Sequence, residues 1–215
     1  MPKFILHYFD TNGRAAVPRA ILSYAKVDWV NNLISQENWP KIKKSGLCEF
    51  EQIPVLEIDN KKYCESNAIN LYLAEIFNLM GKNCEENYEI SNLLMTFDDF
   101  LEIFKKFVMC NDEIKKKEFK KNTEEKLKFF YEKFEIRYLK LGKKKYFLGE
   151  KFTLADIYLT VFLPTCLNLL QINEFNFNFN EIFPNLNELM NRIKENELKE
   201  FFDKYYTKNL LKIKK

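Results

Sequence analysis

The chain has 215 residues, enough for one large or two small domains and too many for a peptide hormone or toxin. Its 34 basic and 31 acidic residues leave a net charge of +3 with the two signs interleaved, which favours neither a nucleic-acid nor a membrane partner. A hydrophobic fraction of 47% excludes a disordered protein and requires a buried core.

The cysteines and the apolar segments indicate the compartment. The five cysteines are widely spaced and form no C-x-x-C pair, which is typical of reduced thiols in a cytoplasmic protein. The N-terminus shows no secretory signal, and the most apolar run, residues 157–170, is shorter than the ~20 residues that span a bilayer. We therefore expect a cytoplasmic protein with no membrane span and no cysteine-based metal site.

The first part of the chain predicts an α/β unit. Phe4–Tyr8 predicts a strand, and apolar positions from Arg14 to Ala25 follow helical spacing. Residues 28–34 predict a second strand, and residues 55–64 predict a hairpin around Asp59-Asn60. A helix is expected from Ser66 to about Phe77, so the predicted order is βαβ followed by ββα.

The pattern changes after a polar break at residues 78–83, which predicts a boundary between a domain at 1–78 and one at 84–215. Beyond the break, apolar residues recur every three or four positions from Leu93 to Val108 and from Leu127 to Leu141. This spacing predicts two long amphipathic helices. Strand-like alternation does not return, so the second domain is expected to be all-helical.

Three short segments have the residue types of a binding site, and each also has a purely structural interpretation. Tyr8 ends a strand, where its phenol lies either at the mouth of the sheet or in the core. Pro54 heads a strand and lacks an N–H; a cis bond there would present the Ile53 backbone to a peptide-like ligand, whereas a trans bond would be an ordinary edge-strand start. Ser66 begins a helix, where its hydroxyl either helps bind an anion or acts as the N-cap.

Several motifs follow one another along nearly the whole chain: His7-Tyr8-Phe9, Gly13-Arg14-Ala15, Trp39-Pro40, Gln52-Ile53-Pro54-Val55-Leu56, Glu65-Ser66, Phe97-Asp98-Asp99-Phe100 and Phe152-Thr153-Leu154-Ala155-Asp156. Together they resemble the cytosolic glutathione S-transferases, and in particular their sigma class. The resemblance implies a thioredoxin-like N-terminal domain, an all-helical C-terminal domain, and a homodimer with one glutathione site per subunit.

The resemblance also implies the site residues, with Tyr8 as the catalytic tyrosine. Arg14 would support the active-site loop, Trp39 and Lys43 would hold the glycine end of glutathione, and Gln52 with Ile53 would hold its backbone. Ser66 would bind the γ-glutamyl carboxylate, and Asp99 would reach the amino group from the partner subunit. The full implied glutathione-binding set is Tyr8, Arg14, Trp39, Lys43, Gln52, Ile53, Pro54, Glu65, Ser66 and Asp99.

The electrophile is expected to lie beside the inner face of the first long helix, against Phe9, Phe104 and Val108. A thiol of pKa ~8.5 is mostly protonated at neutral pH, and the thiolate is the nucleophile. Lowering that pKa to about 7 takes roughly 2 kcal/mol, which one hydrogen bond to a charged group supplies. Tyr8 can donate that bond because a phenol is neutral at this pH. His7 points to the opposite face of its strand, so general-base catalysis by histidine is not expected.

Two residues depart from the family pattern. Ala16 stands where many members have an acid, which removes one possible partner of Arg19. Glu65 replaces a more usual glutamine, and a second acid beside a bound carboxylate is unfavourable unless it faces the ammonium group. The sequence leaves open whether Asp98 and Asp99 support a metal.

Other functions stay open, among them a non-catalytic binding module of the same fold and a glutathione-dependent prostaglandin isomerase.

Thr153 and Asp156 have the spacing of a reciprocal capping box, which we assign to folding rather than chemistry.

Overall fold

A computed structural model of the chain describes residues 2–170 and 178–206. Within these ranges it does not describe the side chains of residues 104, 105, 108, 109 and 167–170. No helix among the described residues is both long and apolar enough to cross a membrane.

The N-terminal part contains a mixed sheet of four strands: β1 Phe4–Phe9, β2 Trp29–Ile34, β3 Val55–Ile58 and β4 Lys61–Tyr63. Their order in the sheet is β2-β1-β3-β4. Strand β1 is central: it pairs in parallel with β2 and antiparallel with β3. Strands β3 and β4 form the predicted hairpin.

Three helices accompany the sheet: α1 Ala16–Tyr24, α2 Trp39–Lys43 and α3 Ser66–Ile76. A single 3-10 turn, Gly13–Ala15, precedes α1, so the helix begins two residues later than its apolar spacing predicts. Helix α2 was not expected; Pro40 lies at its start, where the missing N–H costs no intrahelical hydrogen bond. Helix α1 packs on α3 and on the C-terminal domain.

The C-terminal part is helical throughout its described residues, apart from loops and one isolated bridge between Tyr146 and Gly149. Its helices are α4 Cys84–Met109, α5 Glu113–Lys140, α6 Leu154–Leu170, α7 Phe179–Ile182 and α8 Pro184–Glu195, followed by a π-helical turn, Phe201–Tyr205. Aromatic rings fill the space between α4, α5 and α6: Phe97 stacks on Phe162 with centroids 4.1 Å apart and lies 5.4 Å from Phe134. The predicted fold class, a thioredoxin-like α/β domain followed by an all-helical domain, is confirmed.

The capping box at the start of α6 is only half as predicted. Both the backbone N–H and the hydroxyl of Thr153 donate to Asp156 Oδ2, at 2.9 and 3.0 Å. The Asp156 N–H bonds the Thr153 carbonyl, so the reciprocal bond to the threonine hydroxyl is absent. A buried carboxylate needs donors, and the Phe147 N–H supplies one more at 2.8 Å. Asp156 therefore ties the loop before α6 to the helix start.

Candidate active site

Tyr8 lies near the end of β1 with its phenol beside the turn that leads into α1. The Arg14 backbone N–H donates to the Tyr8 hydroxyl at 3.2 Å. Gly13 permits this approach, because a Cβ on Gly13 would lie 2.6 Å from the hydroxyl oxygen, and its φ of +41° also favours glycine. Burial raises the pKa of Tyr8, although the Arg14 N–H and the charges of Arg19 and Arg14 oppose the rise. The phenol is therefore a neutral donor at physiological pH.

The Arg14 side chain connects the two domains at this point. Its Nη1 donates to Ser66 Oγ at 3.2 Å and to Asp98 Oδ1 at 2.8 Å. Ser66 is at the start of α3, and Asp98 belongs to α4. One residue thus links the tyrosine turn, the α3 N-terminus and the first helix of the C-terminal domain.

Arg19 supports the same turn from inside the protein. Its guanidinium is 1% exposed, donates to the carbonyls of Phe9 (2.9 Å) and Thr11, and lies 5.8 Å from the Tyr8 ring. Its Nε donates to Asn31 Oδ1 at 3.1 Å. Burial lowers the pKa of Arg19 to about 10, which leaves it charged at pH 7. The missing acid at position 16 is therefore no loss, because carbonyls and an amide accept these bonds.

At the N-terminus of α3, Ser66 is not the N-cap residue that one interpretation of the sequence makes it. Glu65 is the N-cap residue, with a φ of +67° and no capping hydrogen bond from its side chain. Ser66 is the first helical residue, and its hydroxyl accepts the bond from Arg14. The first N–H groups of an α-helix and its dipole favour an anion. The Arg14 guanidinium, which donates to the Ser66 hydroxyl at 3.2 Å, adds a positive charge at this helix start.

A second polar link joins α3 to the C-terminal domain. The Tyr158 hydroxyl, on α6, accepts a bond from Asn70 Nδ2 at 2.6 Å and donates to Asn67 Oδ1 at 2.9 Å. Burial raises the pKa of Tyr158, so the phenol stays neutral. Asn70 is 1% exposed. The first turns of α3 are thereby held by a tyrosine that sequence reasoning did not select.

The remaining predicted residues of the N-terminal part surround this centre. The Phe9 ring contacts two aromatic rings: its centroid lies 5.7 Å from that of Tyr8 and 5.7 Å from that of Trp39. Trp39 and Lys43 are the first and last residues of α2, and Lys43 lies 3.9 Å from the Glu51 carboxylate. The segment from Gln52 to Pro54 leads into β3, with Gln52 exposed, and the Ile53-Pro54 peptide bond is cis.

Three predicted residues are not brought into this arrangement by the described structure of one subunit. Asp99 lies on α4 beside Asp98, but it is exposed. The side chains of Phe104 and Val108 lie outside the described part of the chain, so the predicted electrophile pocket stays a prediction. Among the described residues, no group of three or more His, Cys, Asp or Glu side chains has the arrangement of a metal site.

His7 is on the same strand as Tyr8 but has different partners. Asn32 Nδ2 donates to His7 Nδ1 at 2.7 Å, which requires the tautomer with its proton on Nε2, and that nitrogen lies 3.3 Å from Glu57 Oε2. Burial lowers the pKa of His7, and Glu57 opposes the shift. His7 is thus engaged in structural contacts.

Sequence reasoning missed Asp98 as the partner of Arg14, and it missed the link between Tyr158 and α3. In the sequence, Asp98 lies 84 positions from Arg14, and Tyr158 lies 88 positions from Asn70 and 91 from Asn67. Local spacing has no information about such contacts, although Asp98 and Tyr158 do lie within or next to motifs that the sequence shows.

Family comparisons agree with this geometry. A family model described as the glutathione S-transferase N-terminal domain matches residues 5–75, and one described as the glutathione S-transferase C-terminal domain matches residues 98–205. The chain belongs to the glutathione S-transferase family. The predictions of an enzyme, a glutathione transferase, and of glutathione as the family's co-substrate are confirmed.

Individual relatives cover most of the chain. Glutathione S-transferase A of Cavia porcellus is 35% identical over 162 residues, which are 75% of this chain and 74% of that protein. Hematopoietic prostaglandin D synthase of Rattus norvegicus is 31% identical over 169 residues, 79% of this chain and 82% of that protein. A solved sigma-class glutathione S-transferase of Fasciola hepatica superimposes with a TM-score of 0.79 and 25% identity, covering 96% of this chain and 98% of the other.

Proposed function

We propose that this glutathione transferase conjugates the glutathione thiolate to hydrophobic electrophiles and that Tyr8 stabilises the thiolate. The observation that supports this role is the hydrogen bond from the Arg14 N–H to the Tyr8 hydroxyl. That bond uses the phenol as an acceptor, so its own proton can be donated to a sulfur. It also polarises the O–H group, which makes the phenol a stronger donor.

The remaining glutathione-binding residues follow from charge complementarity. Glutathione has two carboxylates and one ammonium group. The γ-glutamyl carboxylate would bind at the α3 N-terminus beside Ser66 and Arg14, and the glycine carboxylate near Trp39 and Lys43. Gln52, Ile53 and Pro54 would hold the peptide backbone, with Glu65 and the partner's copy of Asp99 near the ammonium group.

The class, the domain boundaries, the assembly, the cellular location and the biological role of the chain are part of the same proposal. We assign the chain to a sigma-like class, with domains at 1–78 and 84–215, a homodimeric assembly, a cytoplasmic location and a role in detoxification. Its sigma-like motifs and its likeness to the Fasciola hepatica enzyme support the class. If Asp99 reaches the glutathione amino group of a neighbouring subunit, as the resemblance implies, the site is completed only in the dimer.

Prostaglandin isomerisation is a second candidate, and the relative named hematopoietic prostaglandin D synthase favours it. The acceptor pocket, with Phe9, Phe104 and Val108, decides between the two reactions. An assay panel of chlorodinitrobenzene, an unsaturated aldehyde and a prostaglandin endoperoxide separates them. Retention on immobilised glutathione without any turnover would instead indicate a non-catalytic binding module.

The role of Tyr8 is tested with Tyr8→Phe. Loss of one hydrogen bond to a charged sulfur is expected to lower turnover with chlorodinitrobenzene roughly 10- to 100-fold while glutathione affinity changes little. The pKa seen in the pH–rate profile should rise towards ~8.5, the ordinary thiol value. Turnover is measured at saturating glutathione from pH 6 to 9.

Tyr138→Phe is the matched control, because its hydroxyl bonds the Lys144 carbonyl in the C-terminal domain. It should retain both turnover and the pH profile. A Tyr8→Phe enzyme with normal turnover and an unshifted profile would remove Tyr8 from the mechanism.

A further inference from the structure

A basic cavity lies in the C-terminal domain between the loop after α5 and helix α8. Its volume is about 390 Å³, within the roughly 300–1,000 Å³ of small-molecule pockets in proteins. Its charged lining residues are Lys143, Lys144, Lys145, Glu188 and Arg192. None of them belongs to the proposed glutathione or electrophile contacts, so the cavity is separate from the candidate active site.

Hydrogen bonds fix the loop that forms one wall of this cavity. The Lys143 N–H bonds the Tyr138 carbonyl at 3.1 Å, which ties the start of the loop to the end of α5. The Lys144 carbonyl accepts a bond from the Tyr138 hydroxyl at 2.6 Å, and the Lys145 carbonyl accepts one from the Arg192 guanidinium. These bonds occupy two carbonyl oxygens that would otherwise repel an anion. The three consecutive lysines therefore extend from a backbone that is already in place before a ligand binds.

Positive charge is in excess around the cavity, where four cationic side chains meet one carboxylate. Lys143 Nζ lies 3.2 Å from Glu188 Oε2, an ion pair that joins the loop to α8. The two side chains are 46% and 73% exposed, and such pairs contribute little free energy, so a more highly charged anion can replace Glu188 as the partner of Lys143. Within the described part of the chain, neither Lys144 nor Lys145 has a carboxylate partner.

Two nearby acids are engaged with other groups. Glu197 Oε1 accepts a 2.7 Å bond from a tyrosine hydroxyl and lies 3.8 Å from Arg192. Glu135 accepts three bonds of 2.6–3.1 Å from Asn185 and Leu186 at the start of α8, so this carboxylate already occupies the helix N-terminus. The attraction for an anion therefore comes from the lysines of the loop and not from the helix start.

We propose that this cavity binds a small ligand with several phosphate groups. Lysine ammonium groups are compact point charges with rotatable donors, and they are common ligands of phosphate. An excess of three positive charges matches a ligand with several negative charges, whereas a single carboxylate would leave most of the cations unpaired. All four cations line one cavity, which fits a small anion better than a nucleic-acid backbone that follows an extended basic stripe. The inference goes beyond the proposed function, because it needs neither Tyr8 nor bound glutathione.

Isothermal titration calorimetry of the full-length protein with inorganic triphosphate tests the proposal. We expect one site whose affinity falls when sodium chloride is raised from about 0.05 to about 0.5 M, because salt screens exposed charges. The titration is repeated with saturating glutathione, which should leave the affinity for triphosphate unchanged. Absence of binding at millimolar triphosphate, or competition between triphosphate and glutathione, would overturn the proposal.

Two variants test the lysines and the carboxylate separately. Lys144→Gln/Lys145→Gln removes the two lysines without a carboxylate partner and should lower the affinity for triphosphate at least tenfold. Glu188→Gln removes a competing negative charge and releases Lys143, so it should raise the affinity a few-fold. Unchanged affinity in the lysine variant, or weaker binding by Glu188→Gln, would contradict the assignment of the cavity.

Lys117→Gln/Lys121→Gln is the matched control. It removes two exposed lysines of α5 that do not line the cavity, so the net charge of the protein falls by the same amount. The affinity for triphosphate should change less than twofold. An equal loss in the two double variants would mean that general surface charge binds the probe, and the cavity would have no special role.

Phosphate groups of this kind occur both on soluble metabolites and on phosphoinositide headgroups. Soluble inositol trisphosphate and vesicles that contain the corresponding phosphoinositide distinguish these sources. Equal affinity for both assigns the cavity to a soluble ligand, and tighter binding to the vesicles assigns it to the lipid headgroup. Both results support the cavity if Lys144→Gln/Lys145→Gln abolishes the binding, and binding that this variant retains would overturn it.

Discussion

The two arginines of the first βα unit differ in how they use the same functional group. Arg14 is at the rim of the candidate site with its side chain 37% exposed, and it bonds Ser66 and Asp98, of which the Asp98 side chain is 39% exposed. Arg19 is in the interior at 1% exposure, and it bonds two backbone carbonyls and Asn31. Polar groups of the interior thus hold the backbone, whereas those of the rim remain available to exchange a protein partner for a ligand.

This difference predicts that interior substitutions change stability most and that rim substitutions change function most. Arg19→Met keeps much of the side-chain volume but removes the guanidinium donors to the Phe9 and Thr11 carbonyls and to Asn31, and leaves the Phe9 carbonyl only the Thr11 N–H at 2.8 Å. Losing these buried hydrogen bonds to a charged group should lower the free energy of unfolding by about 3 kcal/mol or more. Urea denaturation followed by circular dichroism measures this loss.

Arg192→Met is the control for that measurement. Its side chain is 37% exposed, bonds the Lys145 carbonyl and lies 3.8 Å from Glu197 and 5.3 Å from the Tyr146 ring, so its removal should cost less than the removal of the buried Arg19. Equal losses in the two variants would mean that burial does not distinguish the arginines.

Asp156 provides a pH test of the interior. Burial raises its pKa from 3.8 to about 6 against the opposing hydrogen bonds from Phe147 and Thr153. Between pH 4 and 6 the folded protein then binds more protons than the unfolded chain, so its free energy of unfolding falls as the pH rises. At 1.36 kcal/mol per pKa unit the full loss is ~3 kcal/mol, of which about 2 kcal/mol falls between pH 4 and pH 6.

Asp156→Asn removes this titration, so the difference in unfolding free energy between wild type and variant should narrow or reverse by about 2 kcal/mol from pH 4 to pH 6. Denaturant titrations of both proteins at several pH values measure it. A difference that grows in favour of the wild type over this range would show that the Asp156 hydrogen bonds outweigh its burial.

The interior and the rim also differ in how well sequence predicts them. The strand at Phe4, the hairpin at Asp59-Asn60 and the helix beginning at Ser66 follow from local periodicity and turn residues, which act over a few positions. The partnership of Arg14 with Asp98 depends on where α4 lies relative to the turn after β1, 84 residues away in the sequence, so no local pattern contains it. The same holds for the link between Tyr158 and α3.

Even within a motif, spacing alone did not determine the hydrogen bonds. Thr153 and Asp156 have capping-box spacing, but the hydroxyl donates instead of accepting because the buried carboxylate needs donors. Ser66 is at a helix start, but the positive φ of Glu65 makes Glu65 the N-cap and frees the serine hydroxyl for Arg14.

Gly13 is at the boundary between interior and rim, and Gly13→Ala should change function through Tyr8. A Cβ there would lie 2.6 Å from the Tyr8 hydroxyl, which must then move away from the Arg14 N–H. Displacement of the donor is expected to lower turnover about tenfold, equivalent to ~1.4 kcal/mol. Steady-state assays with glutathione and chlorodinitrobenzene measure the effect.

Gly46→Ala is a closely matched control. Gly46 also has a positive φ, +76°, but a Cβ there meets no atom within 4 Å. Both variants should lose about 1 kcal/mol of stability from backbone strain, and only Gly13→Ala should lose turnover. Equal turnover in the two variants would contradict the assignment of Tyr8 as the donor.

The smallest expected effect concerns Tyr158, an interior residue that reaches the rim through α3. Tyr158→Phe removes the bonds to Asn67 and Asn70 and should lower the free energy of unfolding by about 1 kcal/mol. Because the first turns of α3 lose a fixed partner, the KM for glutathione should rise a few-fold while kcat stays unchanged.

Tyr131→Phe is the control, since the Tyr131 hydroxyl bonds the Leu159 carbonyl on α6, the helix of Tyr158, and does not bond α3. Tyr131→Phe should lose a similar free energy of unfolding and keep an unchanged KM for glutathione. If KM rose equally in both variants, a general loosening of the aromatic core would determine glutathione affinity, and the Asn67 and Asn70 contacts would not.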